Sequence, residues 1–400
     1  MNLQYNLMFP MRAVKHWQRW SEGASLGEVA KVVENAGFHG FSMSEHPFPD
    51  KDWLAHGGHH AFDPFVSLSF AAAATTRLRL MTYILVSGYR SPYLTAKAAA
   101  SFDLLSGGRF TLGTGAGYLK PEFEALGADF HRRGALLDEA IAAWKATWAG
   151  DEHHGPEFGV AGHLALPLPV TAGGPPIWIG GNSKAARRRV VETANGWIPM
   201  GQSGEMATIT RTPPLEDIAR LASLISEVNK QRAERGRDAA DVSFVPFEAD
   251  KLVSGDCGDF IESVKPRLAE YAEAGVTWIT VEPASRTFSD FRADVELMAT
   301  ELVEAPWVSR RLGLLDSDQG LVGPVCIVER GFELRGWDVA EVAVQAAGVV
   351  PVDPTEGGEF YVLDGLPRSA SSRPVDQLGL VVTVDCLRES VIETISNGPN

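Results

Sequence analysis

The segment 44–49, with the sequence Ser-Glu-His-Pro-Phe-Pro, contains the side chain best suited to proton transfer. An imidazole can donate or accept a proton near neutral pH. Glu45 directly precedes His46, and in an extended chain neighbouring side chains point to opposite sides, so the two need not be partners. His46 is therefore either a general acid or base, or a residue whose ring only caps backbone carbonyls nearby.

Two further segments combine polar or glycine residues with apolar surroundings. Thr82 and Tyr83 interrupt the apolar run 78–86, so they either line a pocket or end a layer of the core. Gly115 and Ala116 belong to the run GTGAG at 113–117, whose alternating glycines let a flat ring or a phosphate approach the backbone. A tight turn without a ligand is the alternative. The G-x-G-x-x-G fingerprint of dinucleotide-binding proteins is not completed.

A possible anion site lies at 180–183. Gly180, Gly181, Asn182 and Ser183 stand immediately before a predicted helix. The first turn of a helix exposes backbone N–H donors and the positive end of the helix dipole, which favour a bound phosphate. Three arginines follow at 187–189. The alternative is a serine that only caps the helix, with the arginines on a solvated face.

The remaining chemistry-bearing residues do not form a recognisable site. His56, His59 and His60 lie in a glycine-containing loop and lack the spacing of a metal-binding pair, so we expect no metal and place this loop over the site. Neither a G-x-S-x-G element nor a Cys–His pairing is present, which gives no support to hydrolytic nucleophile chemistry.

The elements that would position these residues alternate along the first 305 residues. Strands are predicted at 3–9, 40–44, 78–86, 110–114, 177–179, 197–199, 242–247 and 276–281, and helices at 26–36, 64–74, 93–105, from 133 onward, 183–194, 214–234, 260–274 and 288–303. Strands separated by helices pair in parallel with right-handed crossovers. Eight such units favour a closed (β/α)₈ TIM barrel, although an open sheet is the alternative. In a barrel, chemistry belongs at the carboxyl ends of the strands.

Composition limits the classes of function. The chain has 400 residues, of which 45% are hydrophobic and 22% charged, as in globular proteins. A net charge of −15 disfavours nucleic acids and anionic membranes as partners. No apolar run is long enough for a membrane span, and the first residues lack the pattern of a signal peptide. With only three, widely spaced cysteines, we expect a cytoplasmic protein.

Two regions are predicted, a barrel over residues 1–305 and an acidic C-terminal extension of unknown role over residues 306–400. Residues 311–400 contain 14 acidic residues, six arginines and no lysine. Apolar runs at 324–328, 360–363 and 378–384 alternate with turn residues, and a helix is predicted over 338–347. The extension is therefore either a small α/β unit or a poorly ordered segment.

Eight segments together resemble the bacterial-luciferase-like superfamily, and most closely its branch of coenzyme F420-dependent oxidoreductases. They are NAGF at 35–38 continuing to EH at 45–46, DPF at 63–65, TTRLRL at 75–80, LLSGGR at 104–109, GTGAG at 113–117, EFEALG at 122–127, PPIWIGG at 175–181 and NGWIP at 195–199. They occur in the family's order over residues 1–305. The resemblance implies a luciferase-like (β/α)₈ barrel, in agreement with the element count.

The resemblance also implies a flavin-shaped cofactor at the carboxyl ends of the strands. His46 would sit beside the reactive ring. Thr82 and Tyr83 would form a bulge that backs the ring, and Gly115 and Ala116 would pass along its edge. The phosphate would be held by Gly180, Gly181, Asn182 and Ser183.

The activity implied by the resemblance is hydride transfer between F420 and a small organic substrate, because a deazaflavin carries hydride and reacts poorly with oxygen. A reduced-FMN-dependent monooxygenase and a non-catalytic flavin-binding protein are the alternatives. Sugar-phosphate dehydrogenases of this family have a glutamate where this chain has Tyr118, which argues against that substrate class. Related barrels often dimerise through the helices after strands 2 and 3, which here are rich in alanine, so we expect a homodimer.

Overall fold

The computed structural model describes residues 3–303 and six short strands in the remaining chain. By internal contacts the chain divides into one unit over residues 1–303 and a second over 304–400. The first unit contains the parallel strands β1 Gln4–Met8, β2 Gly40–Met43, β3 Arg79–Thr82, β4 Leu85–Val86, β5 Phe110–Gly115, β6 Ile177–Gly180, β7 Gly196–Ile198, β8 Asp241–Phe244 and β9 Trp278–Val281.

These strands close into a barrel. Strand β1 lies between β2 and β9, with Tyr5 opposite Ile279. The ring is completed by the pairing of β3 with β5, in which Leu80 is opposite Phe110. The short strand β4 continues from β3 beyond a bulge and also pairs with β5. The predicted closed (β/α)₈ barrel is therefore confirmed, and the open sheet is excluded.

Helices lie around the outside of the barrel and, as short segments, in the loops at the ends of its strands. They are α1 Met11–Val14, α2 Trp17–Trp20, α3 Leu26–Asn35, α4 Lys51–Ala55, α5 Pro64–Ala74, α6 Pro92–Ser106, α7 Lys120–Ala125, α8 Arg133–Ala149, α9 Lys184–Glu192, α10 Gly204–Thr210, α11 Ile218–Ala233, α12 Asp250–Ser254, α13 Cys257–Val264, α14 Leu268–Glu273 and α15 Phe288–Met298. Among the described residues, no helix is both long and apolar enough to cross a membrane.

Three predicted elements differ from the structure for local reasons. The strand predicted over 78–86 is interrupted after Thr82 and resumes at Leu85. The helix predicted over 214–234 begins only at Ile218, because the Asp217 side chain caps it by accepting the Arg220 N–H. The helix predicted over 260–274 is two α-helices, separated by a 3₁₀ turn that contains Pro266.

The barrel interior contains a chain of buried polar side chains near the β1, β8 and β9 strands. The Asn6 amide donates to the hydroxyl oxygens of Ser42, at 2.8 Å, and Thr280, at 3.1 Å. The Ser243 hydroxyl lies 2.9 Å from that of Thr280. These amide and hydroxyl groups bond to one another, whereas the side-chain oxygen of Asn6 is buried without a hydrogen-bond partner among the described residues.

In the second unit, short strands are described at Val325–Ile327, Glu333–Leu334, Trp337–Asp338, Ala343–Gln345, Val362–Asp364 and Leu366–Pro367. The helix predicted over 338–347 is wrong, since Ala343–Gln345 is a strand paired antiparallel with Val325–Ile327. That segment is rich in valine, whose branched side chain favours strands over helices. The apolar run predicted at 378–384 lies outside the described residues.

Candidate active site

The side chains of His46 and Glu122 are hydrogen-bonded to each other beyond the carboxyl end of β2. His46 Nδ1 lies 3.0 Å from Glu122 Oε2, and the Glu122 side chain is fully buried. The same carboxylate accepts the Tyr89 hydroxyl at 2.8 Å and the Phe48 backbone N–H at 2.8 Å. Burial of Tyr89 and the neighbouring charge of Glu122 raise the pKa of the Tyr89 phenol, so Tyr89 stays protonated and acts as a donor.

This pairing decides which nitrogen of His46 carries the proton. A carboxylate offers only acceptor atoms, so Nδ1 must donate to it. In the neutral ring Nε2 is then the acceptor, and it has no hydrogen-bond partner among the described residues. His46 is therefore oriented to accept a proton at Nε2, with Glu122 stabilising the cation that results.

Aromatic rings surround His46. Its ring centroid lies 4.4 Å from that of Trp53, 5.0 Å from that of His59 and 6.4 Å from that of Tyr118. Burial lowers the pKa of His59 to about 4, so His59 is neutral at physiological pH and adds no charge beside His46. The loop with His59 thus lies against the site, as its sequence position suggested.

Glu45 has different partners from its neighbour His46. One of its carboxylate oxygens accepts the Val86 N–H at 2.6 Å, and the other is paired with Arg90. Burial raises the pKa of Glu45 to about 7, against the opposing effect of Arg90. The two adjacent side chains therefore belong to separate contacts, as the extended geometry predicts.

Thr82 and Tyr83 lie at the bulge between β3 and β4, and both hydroxyls are used inside the barrel. The Thr82 hydroxyl donates to the Gly113 carbonyl at 2.7 Å. The Tyr83 hydroxyl lies 3.2 Å from Ser243 Oγ, next to the polar layer. The peptide bond between Tyr83 and Ile84 is cis. Half-buried Tyr83 and Ile84 leave apolar surface at this end of the barrel.

The glycines near the bulge make room for Ile84. A Cβ atom on Gly115 would lie 2.5 Å from Ile84 Cδ1, and one on Gly180 would lie 2.8 Å from the same atom. Gly115 and Gly180 thus lie on either side of one half-buried side chain. Ala116, the next residue along, is half-buried and packs against the core.

At 181–183 part of the predicted anion site is occupied by internal bonds. The Gly181 N–H donates to the Ile198 carbonyl at 3.0 Å, and the Asn182 N–H donates to Thr212 Oγ1 at 2.7 Å. Ser183 caps α9 by accepting the Ala186 N–H. The backbone N–H groups of residues 183–185 have no partner among the described residues, so these are the donors open to an anion.

The Asn182 side chain and the nearby arginines also have internal partners. The Asn182 amide bonds the carbonyls of Met200 and Pro213, and its oxygen accepts the Met200 N–H. Arg187 donates to the Asn182 carbonyl at 2.6 Å. The other two arginines of 187–189 both pair with Asp138. Each of the three arginines, of which at least one could have turned toward a ligand, therefore has a partner within the protein itself.

A flavin-shaped group fits the side chains and backbone N–H groups at this end of the barrel that have no internal partner among the described residues. The hydroxyl oxygen of Ser44, immediately before Glu45, is buried and has no hydrogen-bond partner among the described residues. It stands at the same end of the barrel as His46, the Ile84 surface and the open N–H groups of 183–185. A ring with polar edges and a phosphate would use all of these features. Within the described residues no group of acidic, cysteine or histidine side chains could hold a metal ion.

Sequence reasoning missed Glu122 and Trp53. Glu122 lies on α7, 76 residues after His46 in the sequence. Glu124, two residues further along the same helix, is exposed. Glu122 was part of a matched family segment, but nothing local distinguishes it from Glu124. Trp53 lies on α4, a five-residue helix too short for a hydrophobic period to reveal.

A closed parallel barrel with a histidine–carboxylate pair at the carboxyl ends of its strands has the architecture of a (β/α)₈-barrel enzyme. The family model for luciferase-like monooxygenases matches residues 8–248, and the chain belongs to this family. Its members are oxidoreductases, including monooxygenases, that use flavin-type cofactors and small-molecule substrates.

Individual relatives differ in cofactor. An uncharacterized protein of Mycobacterium tuberculosis is 28% identical over 294 residues, which cover 70% of this chain and 94% of the relative. The FMNH2-dependent dimethylsulfone monooxygenase of Pseudomonas putida is 28% identical over 183 residues, or 44% of this chain and 49% of that enzyme. The coenzyme F420-dependent tetrahydromethanopterin reductase of Methanopyrus kandleri superposes with a TM-score of 0.57 at 17% identity, covering 76% of this chain and 99% of that one. At this level of sequence identity, the similarity to the reductase shows only a common fold.

Proposed function

We propose that the protein is an F420-dependent oxidoreductase that transfers a hydride between the deazaflavin and a small organic substrate. The observation that carries the proposal is the His46–Glu122 pair, with Nε2 unpaired at the end of the barrel where the apolar bulge and the open N–H groups also lie. Hydride transfer to or from a carbonyl or alcohol needs a proton at the substrate oxygen, and a histidine of fixed orientation can supply or remove it.

Each part of the site has a distinct role in this proposal. Glu122 fixes the ring of His46, and His46 Nε2 moves the proton. Tyr83 and Ile84 support one face of the cofactor ring, with Gly115 and Ala116 at its edge. The Ser44 hydroxyl forms a hydrogen bond with a polar atom of the cofactor. The strand end at Gly180 and Gly181 leads into Asn182, which holds the turn so that the N–H groups from Ser183 onward can bind the phosphate. When bound, F420 would supply a hydride carrier that reacts poorly with oxygen.

The second candidate is a reduced-FMN-dependent monooxygenase. It is favoured by the similarity to the Pseudomonas putida enzyme, whose name states FMNH2 dependence. The same histidine, bulge and phosphate donors would serve an FMN ring, so the two candidates differ in the cofactor rather than in the fold.

Equilibrium binding of F420 and FMN to the purified full chain, each oxidised and reduced, separates the candidates. We expect F420 to bind at least tenfold more tightly than FMN. The F420 absorbance should then change, without oxygen, when a panel of alcohols, aldehydes and activated alkenes is supplied. Tight binding of reduced FMN with oxygen consumption would instead establish the monooxygenase. Binding without turnover of either coenzyme would favour the non-catalytic flavin-binding protein.

A further inference from the structure

A pocket of about 450 Å³ lies at the carboxyl ends of β1 and β9, which is the end of the barrel that also carries the proposed active site. Its polar lining comes from two short segments, 12–19 and 285–286, that are distant in sequence. The cationic and polar side chains around it are Arg12, His16, Arg19, Ser285 and Arg286. We call it the arginine pocket.

The three arginines of the pocket are not in direct contact with any carboxylate of the described residues. Among the described residues, the guanidinium groups of Arg12, Arg19 and Arg286 form neither a salt bridge nor a hydrogen bond, and all three residues are exposed. Elsewhere in the barrel Arg90 and Arg189 are paired with carboxylates. The concentration of three unpaired guanidinium groups around one cavity gives an otherwise acidic protein a local positive field.

The backbone that carries these arginines is held in place. The Trp20 indole N–H, in a side chain that is almost fully buried, donates to the Ser285 carbonyl at 3.0 Å. The Ser285 hydroxyl donates to Asp294 at 2.6 Å. On the other side, the Met11 N–H donates to Glu282 at 2.9 Å. The segments before and after the arginines are therefore fixed, while the guanidinium groups are left open to a ligand.

The pocket and His46 lie at the same end of the barrel. Arg12 follows β1, and β1 pairs directly with β2, which leads to His46. The His59 ring lies 5.0 Å from that of His46. After burial and the charge of His46, the charge of Arg12 also lowers the pKa of His59, so the field of Arg12 reaches this side of the site. Glu282 is the acidic group beside Arg12, which leaves Arg19 and Arg286 for an external anion.

We infer that the arginine pocket binds the phosphate or carboxylate group of a small anionic ligand whose remaining part extends toward His46. Guanidinium groups bind both kinds of oxyanion through paired N–H donors. That the ligand extends to His46 rests on the proposed function. The anionic group belongs either to the substrate or to an acidic portion of the coenzyme, and the two sources share this chemistry.

Titration calorimetry of the full chain with pyrophosphate, and separately with citrate, at constant ionic strength tests the site without any coenzyme. The double variant Arg19→Gln/Arg286→Gln removes two guanidinium groups from exposed positions. Arg220→Gln is the matched control, since Arg220 is an exposed arginine on α11 outside the pocket. Loss of a hydrogen bond to a charged group weakens binding by about tenfold or more.

We expect saturable binding of at least one probe, weakened about tenfold or more in the double variant and unchanged in Arg220→Gln. The inference is overturned if neither probe binds saturably, or if the double variant binds them as the unmodified chain does. Thermal unfolding of each variant confirms that it is folded.

Coenzyme titrations of the same variants then identify the source of the anion. If the affinity for F420 or FMN falls with that for pyrophosphate, the anionic group is the coenzyme's; if it is unchanged, the group is the substrate's. Either result supports the inference that the arginine pocket binds an anionic group. Because the probe titration contains no coenzyme, a failure of the proposed function appears separately, as a chain that binds the probes but neither coenzyme.

Discussion

Within residues 3–303, one ring nitrogen of His46 is hydrogen-bonded to a buried carboxylate and the other has no partner, which is the arrangement of a residue that moves a proton. If that is its role, His46→Ala should lower turnover by about 10²–10⁴-fold while leaving coenzyme affinity within about a few-fold. Turnover and coenzyme titrations on the same preparation check this. His56→Ala is the control, since His56 is exposed and its ring bonds only the Asp52 carbonyl.

A second outcome would contradict the proton-transfer role. If His46 only holds the coenzyme, affinity should fall about as much as turnover. The pH dependence of the rate would then keep its shape in His46→Ala, whereas loss of a proton-transfer group removes one limb of the profile.

Glu122 acts through His46 and is a positioning residue. In Glu122→Gln the amide presents an N–H₂ donor where the carboxylate had an acceptor. If that donor faces His46, the ring must shift its proton to Nε2, the atom that should accept one. We expect turnover to fall by about 10²-fold or more, with coenzyme affinity nearly unchanged.

Nitrogen NMR of His46 reports which ring nitrogen carries the proton, and loss of packing alone would not change that nitrogen. The unmodified chain should show the proton on Nδ1, and Glu122→Gln should show it on Nε2. Glu124→Gln, an exposed position on the same helix, should leave both tautomer and turnover unchanged. An unaltered tautomer in Glu122→Gln together with full turnover would show that Glu122 does not position the ring.

The bulge after β3 depends on a glycine in the neighbouring strand β5. A Cβ atom on Gly113 would overlap the backbone carbonyl of Thr82, which cannot rotate away as a side chain could. Gly113→Ala should therefore lower the free energy of unfolding by about 1–3 kcal/mol. Thermal or denaturant unfolding measures this. In Gly204→Ala, where the added methyl meets open space, stability should be unchanged or slightly higher, and equal stability of the two variants would contradict the packing argument.

The start of α9 allows a backbone donor to be removed without breaking the helix. Lys184 is the first residue of α9, a position where proline is well tolerated, and the preceding Ser183 has φ −67° and ψ 156°, which suits a residue before proline. Lys184→Pro deletes one open N–H and should weaken coenzyme binding by about tenfold. Lys184→Gln removes the charge but keeps the N–H, and its affinity should stay close to that of the unmodified chain. Equal affinities in the two variants would place the phosphate elsewhere.

For the molecule as a whole, the dimer expected from the resemblance remains a proposal. Half of the eight alanines that suggested it, at 71–74, 96 and 98–100, are buried, and Ala71, Ala96 and Ala99 are fully so. Larger apolar side chains are exposed on the same two helices instead: Phe70 on α5 is 60% exposed, and Leu94 on α6 is 67% exposed. These two side chains are the apolar surface that a partner subunit would cover on α5 and α6.

We expect the unmodified chain to be a dimer by light scattering at micromolar concentration, and Phe70→Glu/Leu94→Glu to be a monomer. A buried unpaired carboxylate costs more than the lost contact, so the double variant should dissociate the dimer. Leu297→Glu changes an exposed leucine on α15 and should leave the dimer intact. A monomeric unmodified chain would refute the expectation.

Much of the barrel could be predicted from the sequence because hydrophobic period, glycine and proline act locally. Helix α5 was predicted with its observed bounds, and the pairing of the first and last strands followed from the count of eight units. The type and position of His46 were also evident, since the residue follows a strand whose carboxyl end must face the site. Where a cap or a proline ends an element, as at Asp217 and Pro266, the boundary was misplaced by a few residues.

The amino-acid sequence by itself determined the order of strands and helices and which end of the barrel carries chemistry, because both follow from local patterns and chain direction. Only the tertiary structure decided which side chains meet. It brought Glu122 to His46, seated Ile84 between Gly115 and Gly180, used the Asn182 side chain inside the protein, and gathered three arginines around one pocket. Those contacts join residues from separate strand–helix units, so they exist only once the barrel has closed.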